Sequence, residues 1–202
     1  MAKRFNEVHQ WVINNWIEAR QLEDSMEDVR KRYEDVGELV IKAVQEQKPE
    51  LNNCQSHIKK GAICFARRKW SSQAETWPPG IWIWNIGLAD LMADDGEGAW
   101  AGIWLNDRKG RKFDLENLEE ARTKIQNKSV ELIKDKKLKL TFDDESDHST
   151  LLAVEIPEPR KSLARILLDD NSEKFVECMA SHVKILARFI PVLDEILLKK
   201  RP

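Results

Sequence analysis

The chain has 202 residues, of which 34% are charged and 42% are hydrophobic, and its formal net charge is −2. This composition is typical of a globular protein, and it excludes a disordered chain and one that is basic throughout. No apolar run approaches the roughly 18 residues that a membrane helix requires, so we expect no membrane association. Cys54, Cys64 and Cys178 are odd in number and widely spaced, which predicts no disulfide framework and a cytoplasmic location.

Residues 1–48 are predicted to form one long helical arm. Apolar side chains recur there at alternating intervals of three and four residues, which places them along one helix face. A helix of this length exceeds the usual range, which suggests a helical hairpin arm or a coiled coil. The arm could pair with the long C-terminal helix of the same chain or with a second copy in a homodimer, and we also expect a protein partner to bind it. The residues of this face, which we call the stripe, include Val8, Val12, Asn15, Leu22, Met26, Val29 and Tyr33.

Three further apolar side chains widen the stripe near its start. They are Trp11, Trp16 and Ile17. A broad apolar face favours burial against a domain body, so the sequence predicts that the N-terminal end of the arm is the end that packs.

The middle of the chain, residues 49–158, is predicted to form a sheet with one helix. Runs rich in β-branched and aromatic residues are bounded by Gly, Pro and Asp, which is typical of an antiparallel meander. The predicted strands are 61–66, 81–88, 99–105, 138–142 and 150–156, and the predicted helix is 114–135.

Residues 159–202 are predicted to form C-terminal helices. A short helix is expected at 162–168, and a long amphipathic helix is expected to follow it and to kink at Pro191, since proline removes a backbone donor. The chain is thus predicted to be a single α+β domain. Its central, mainly antiparallel sheet of about five strands is flanked by long N- and C-terminal amphipathic helices.

Clusters of basic residues flank the predicted strands, and tryptophans lie near them. A basic groove with exposed aromatic side chains is how single-stranded nucleic acid is held. We expect Trp70 and Trp77 to lie exposed in a loop, and Trp82, Trp84, Trp100 and Trp104 to lie in the core or on one sheet face. The candidate nucleic-acid-binding residues are Lys59, Lys60, Arg67, Arg68, Lys69, Trp70, Arg108, Lys109, Arg111 and Lys112.

Residues that could bind a metal ion do not form a complete set. Cys54 and His57 have metal-ligand spacing, but no second Cys/His pair lies nearby to complete a tetrahedral site. Acidic residues crowd residues 90–97 without the alternating oxygen ligands of a calcium loop. No phosphate-binding glycine loop or nucleophile motif is present. We therefore predict no metal, no cofactor and no catalytic residues.

The order helix, three strands, helix, strand over residues 1–142 resembles the core of the PD-(D/E)XK nuclease family. In that family an acid near the second strand and a Glu-x-Lys on the third bind the metal, and the resemblance matches Asp90 to the first acid. The sequence departs from the pattern afterwards, because Glu97 is followed two residues later by Ala99 and residues 102–105 contain neither acid nor lysine. The resemblance therefore implies a degenerate core that binds without cutting.

Two functions remain as hypotheses. The first is a non-catalytic binding or adaptor protein that acts through helical arms and charged surfaces. The second is a nucleic-acid-binding protein of the restriction or defence type, with a degenerate nuclease-like core.

Overall fold

In the computed structural model of the chain, the residues described are 6–57, 61–70, 79–93, 98–105, 115–133, 140–141, 150–168 and 172–198. They form an α+β fold with long helices around an antiparallel sheet, which confirms the predicted class. The described residues contain six strands, against about five predicted. The additional strand precedes the first predicted one.

The sheet has the strand order β1-β2-β3-β4-β6-β5, and every neighbouring pair is antiparallel. The strands are β1 (Asn53–His57), β2 (Ala62–Ala66), β3 (Gly80–Trp84), β4 (Trp100–Trp104), β5 (Leu140–Thr141) and β6 (Thr150–Glu155). The helices are α1 (Glu7–Asn14), α2 (Trp16–Gln47), α3 (Leu88–Met92), α4 (Leu115–Ile133), α5 (Arg160–Leu168), α6 (Glu173–Leu186) and α7 (Ile190–Leu198). Short 3-10 helices lie at Arg68–Trp70 and Ala187–Phe189.

The register of β3 and β4 separates isoleucines from tryptophans. Trp82 lies opposite Gly102, and Trp84 lies opposite Trp100. Because side chains alternate across a strand, these tryptophans and Trp104 lie on one face of the sheet, as predicted. We call it the tryptophan face. The opposite face carries the fully buried Ile63, Phe65, Ile81, Ile83 and Ile103.

Gly102 makes room for the rings of the tryptophan face. A Cβ at this position would lie 2.6 Å from the Leu152 carbonyl oxygen and 2.8 Å from the Trp100 ring. A larger residue there would displace the neighbouring strand or the ring, so glycine is required by close approach.

The second half of α2 packs against the body of the protein. It contacts β1, β2, α5 and α6, and α6 in turn lies against β3 and β4. Helix α3 contacts α5, and α4 contacts β6 and α7. The buried residues of α2 are Tyr33, Val36, Gly37, Val40, Ile41 and Val44, and they complete a single core with the sheet.

Three element boundaries differ from the predictions. The first helix is interrupted at Asn15, whose backbone leaves the helical region (φ −123°, ψ 48°). The strand predicted at 81–88 ends at Trp84, because Asn85 adopts a left-handed conformation (φ 57°) before α3 begins. The C-terminal helix is divided by the 3-10 helix Ala187–Phe189, so Pro191 lies in the first turn of α7, where its missing N–H costs nothing.

Candidate functional site

An apolar helix face stands exposed at the N-terminal end of the chain. The first residue of α2 that is buried is Tyr33, and α1 contains no buried residue. Of the predicted arm, residues 7–32 contain no buried side chain, and the name arm refers to these residues from here on. The large apolar side chains that the arm exposes are Val8, Trp11, Ile13, Trp16, Ile17, Leu22 and Met26. Exposed apolar side chains in this number, on α1 and the first turns of α2, are typical of a surface that binds another protein.

The prediction that the N-terminal end of the arm packs against the body is wrong. Trp11, Trp16 and Ile17 are exposed, with Trp16 at 62%, whereas Tyr33 is only 5% exposed. The physical reason is length. Helix α6 has 14 residues and α2 has 32, which correspond to about 21 Å and about 48 Å. The helices of the body therefore cover only part of α2.

The burial of the stripe residues varies along α1 and α2. Tyr33 is buried, and Val12, Asn15 and Val29 are partly buried. Val8, Leu22 and Met26 are exposed. The same periodic face therefore serves the core at one end and faces solvent at the other.

Local hydrogen bonds fix the start of the arm. The Asn6 side chain accepts from the His9 backbone N–H at 3.0 Å, and His9 Nδ1 accepts from the Asn6 N–H at 3.1 Å, which together form a capping box. The Asn15 side chain donates to the Trp11 carbonyl at 2.8 Å. Backbone bonds from Asn15 to Trp11 and from Ala19 to Asn15, both 2.9 Å, flank the interruption. The helical path is thus broken at one residue only.

Charge along the arm is arranged in blocks. An acid-rich section, residues 18–28, contains Glu18, Glu23, Asp24, Glu27 and Asp28 with one base, Arg20. A basic section, residues 30–32, follows at once. Arg30 pairs with Glu27 at 3.4 Å, and both side chains are more than half exposed, so this pair contributes little stability. The blocks can therefore select the orientation of a partner.

A groove of about 550 Å³ lies between α2 and α6. Its apolar lining comes from Leu39, Ala43, Val176 and Ala180, and charged side chains of both signs surround them. A cleft of this composition fits an amphipathic segment better than a small polar ligand.

Three of the described candidate nucleic-acid-binding residues, Arg67, Lys69 and Trp70, contact one carboxylate on α7. Asp194 accepts a hydrogen bond from Trp70 Nε1 at 2.7 Å, pairs with Arg67, and lies 3.4 Å from Lys69 Nζ. Trp70 is 1% exposed, so the prediction that it lies exposed in a loop is wrong: the Arg68–Trp70 turn directs its indole to Asp194. Arg68 is exposed. Lys59, Lys60, Trp77, Arg108, Lys109, Arg111 and Lys112 lie outside the described residues.

The tryptophan face is a packed aromatic cluster. The rings of Trp82 and Trp84 stack with centroids 4.7 Å apart, and the Trp104 ring meets Trp82 edge-on at 5.6 Å. Trp100 lies 5.8 Å from Trp84. Trp82 is fully buried and the other three are partly exposed. These contacts are typical of aromatic packing that stabilises a sheet.

Asp90, which the nuclease-like pattern matches to the first acid, lies in α3 beside the end of the buried stripe. Its carboxylate lies so close to Gly61 and Gly87 that a Cβ at either position would collide with it. The Tyr33 hydroxyl donates to the Ile86 carbonyl. Burial raises the pKa of Tyr33, and the negative charge of Asp90 raises it further. These contacts hold together α2, the residue just before β2, and α3. The role of Asp90 that they indicate is therefore structural.

Cys178 is not an activated nucleophile. Burial, followed by the charge of Glu158, raises the pKa of its thiol to about 12, and Sγ lies 3.4 Å from the Glu158 carboxylate. A thiol with such a pKa is almost entirely protonated at neutral pH and therefore reacts slowly.

The described part of the chain contains no group of three or more His, Cys, Asp or Glu side chains that could hold a metal ion. Within the same residues, no helix is long and apolar enough to span a membrane. The acidic residues 94–97 and 143–147 lie outside the described ranges.

No family model, curated protein or solved structure matches this chain. The likeness to a nuclease core accordingly remains an expectation based on element order.

Proposed function

We propose that this chain is a non-catalytic binding or adaptor protein that engages a protein partner through its arm. The observation that carries the proposal is the exposed apolar face of α1 and the first half of α2, which continues the periodic face that packs in the core. Amphipathic helices bind partners through apolar positions at this spacing, and the energy comes from removing those side chains from water.

The charged residues of the arm also support the proposal, but less directly than its apolar residues. The acid-rich and basic sections of the arm flank the apolar residues. Charges at the rim of an interface contribute more to the choice of partner and its orientation than to affinity.

The proposal is tested by retention assays that compare the full chain with two variants. Leu22→Lys places a charge on the exposed stripe, and Gln21→Lys makes the same change in charge at the neighbouring position, off the stripe. Neither residue is buried, so both variants keep the fold. We expect immobilised wild type and Gln21→Lys to retain the same proteins from an extract of the source cells, and Leu22→Lys to lose them. Equal retention by all three chains would contradict the role of the arm.

The nucleic-acid alternative stays a prediction. The described members Arg67 and Lys69 are engaged by Asp194, and no other described contact favours this alternative. Titration with labelled single- and double-stranded DNA and RNA at two salt concentrations separates the two functions. Binding that falls steeply with salt would favour nucleic acid, because neutralised phosphates release counterions, whereas burial of the arm depends mainly on apolar area.

A further inference from the structure

The side chains on either side of the exposed stripe of α2 indicate which kind of partner the arm binds. We propose that residues 16–29 bind a basic amphipathic helix of another protein. The apolar face of that helix covers the stripe, and its basic side chains lie beside the acidic residues of α2. This inference rests on the proposed function and adds to it the chemical class of the partner.

The part of α2 that carries this contact is one continuous helix. Residues 16–29 lie after the interruption at Asn15 and before the first buried residue, Tyr33. They span about four turns and about 21 Å, and the side chains of Leu22 and Met26 at their centre are more than half exposed. Apolar residues at intervals of three and four interlock with those of a second helix that has the same spacing. The shape that fits this surface is therefore an amphipathic helix.

Acidic residues lie on both edges of the stripe in this part of α2. In helices that pair through such a spacing, the residues directly before and after the apolar positions lie at the edges of the contact. Glu18 precedes Ala19, and Glu23 follows Leu22, so the two carboxylates lie on opposite edges. Both are exposed. Basic side chains on a partner helix are attracted to them, whereas acidic side chains are repelled.

The other two edge residues of this part of α2 are uncharged. Trp16 lies seven residues before Glu23, on the same edge, and its exposed indole can receive a lysine or arginine side chain through a cation–π contact. Ser25 lies seven residues after Glu18, and its hydroxyl donates to the Gln21 carbonyl at 2.8 Å. Three of the four edge residues thus favour a cation, and none repels one.

The basic section of the arm marks where the preference for a basic partner ends. Arg30 and Arg32 lie seven residues after Glu23 and Ser25, so they occupy the next edge positions. Like charges at an interface disfavour a partner, and a basic helix is therefore not expected to extend along these residues. The packed part of α2 begins directly afterwards, at Tyr33. The surface that attracts a basic helix therefore ends where the body begins to cover α2.

Two synthetic amphipathic peptides of about three heptads test the class of the partner. Both carry leucine at the apolar positions, and the edge positions carry lysine in one peptide and glutamate in the other. We expect the full wild-type chain to bind the lysine peptide roughly tenfold more tightly than the glutamate peptide at low salt, and the difference to shrink as salt screens the charges. Equal binding of both peptides, tighter binding of the glutamate peptide, or binding of neither would overturn the proposal.

Charge reversal tests whether the edge residues cause the preference. We expect the double variant Glu18→Lys/Glu23→Lys to bind the glutamate peptide more tightly, and this binding would also show that the variant is folded. The matched control is Asp24→Lys/Asp28→Lys, which makes the same change in net charge on the side of α2 away from the stripe. We expect the control to keep its preference for the lysine peptide. The same reversal in both variants would overturn the proposal, because net charge alone would then explain the binding.

Sedimentation velocity on the purified chain tests whether a second copy occupies the arm instead. We expect wild type and Leu22→Lys to sediment with the same mass. A wild-type dimer that Leu22→Lys dissociates would overturn the inference, because the stripe would then bind a second copy.

The retention assay separates this inference from the proposed function. It compares wild type with Leu22→Lys and does not depend on the charge of the partner. Loss of retained proteins in Leu22→Lys without a preference for the lysine peptide would leave the proposed function standing and remove only the basic helix. Equal retention by all the chains would remove the proposed function.

Discussion

Tyr33 marks the residue at which the stripe passes from solvent into the core. Its ring is buried, its hydroxyl donates to the Ile86 carbonyl, and Asp90 lies near enough to raise its pKa. It is the one tyrosine in the sequence, so phenolate absorbance reports this residue alone. The stripe position was predictable from spacing, but its hydrogen bond to a carbonyl 53 residues away was not.

The raised pKa of Tyr33 predicts a loss of stability at alkaline pH. An unfolded tyrosine ionises near pH 10, whereas the folded one does not. The contribution of the protonated Tyr33 to the free energy of unfolding is therefore complete below pH 10 and is lost as the pH rises above it. We expect phenolate absorbance to appear together with unfolding in an alkaline titration. A native chain whose Tyr33 titrates near pH 10 before unfolding would contradict this account.

The hydrogen bond of Tyr33 gives a second prediction. We expect Tyr33→Phe to lower the free energy of unfolding at neutral pH by about 1 kcal/mol, because the hydrogen bond is lost.

Trp70 shows what sequence reasoning misses at the residue scale. The Ser, Gln and Pro residues that follow it in the sequence predict an exposed loop, yet Trp70 is buried against Asp194. The two residues are 124 positions apart. A contact between residues so far apart in the sequence depends on how α7 packs against the 3-10 helix Arg68–Trp70. No local sequence pattern predicts it.

At the scale of elements, Asp194 joins α7 to the segment that follows β2. We expect Asp194→Ala to lower the free energy of unfolding by about 1–3 kcal/mol, because it removes the acceptor of a buried indole N–H and the partner of Arg67. Urea denaturation measures the change.

The neighbouring residue on α7 supplies the control. Glu195 is exposed and pairs with Lys124 of α4, and the hydrogen bonds that Lys124 donates to Glu120 and Glu195 raise the pKa of that lysine. Because this ion pair is at the surface, Glu195→Ala should change stability much less than Asp194→Ala does. Similar losses in both variants would contradict the anchoring role of Asp194.

Elements with a clear local pattern were predictable. The apolar runs rich in β-branched and aromatic residues predicted β2, β4 and β6 close to their observed bounds, and α4 and α5 were also predicted. Strand β1 was missed, because Asn53–His57 is polar and does not alternate. It forms because its backbone pairs with β2 over five residues, which is a tertiary effect. The break at Asn15 was missed for the opposite reason, since the stripe continues through it.

At the scale of the whole molecule, one helix has two environments. The spacing of apolar residues is the same before and after Tyr33, so the sequence could predict the stripe but not which half the body covers. The lengths of α5 and α6, and the place where α6 ends, decide this. The candidate site is therefore the part of the periodic apolar face that the core leaves exposed.

The central claim is that the arm is open in a single chain and is covered when a protein partner binds. Hydrogen exchange of the arm, residues 7–32, measured by mass spectrometry before and after addition of the proteins that the immobilised chain retains, tests it most directly. We expect exchange in the arm to slow when these proteins are added, because its amides become protected in the complex, while residues 33–47 exchange slowly throughout. In Leu22→Lys the arm should exchange rapidly with or without them. Arm exchange in the wild type that the added proteins leave unchanged would contradict the claim.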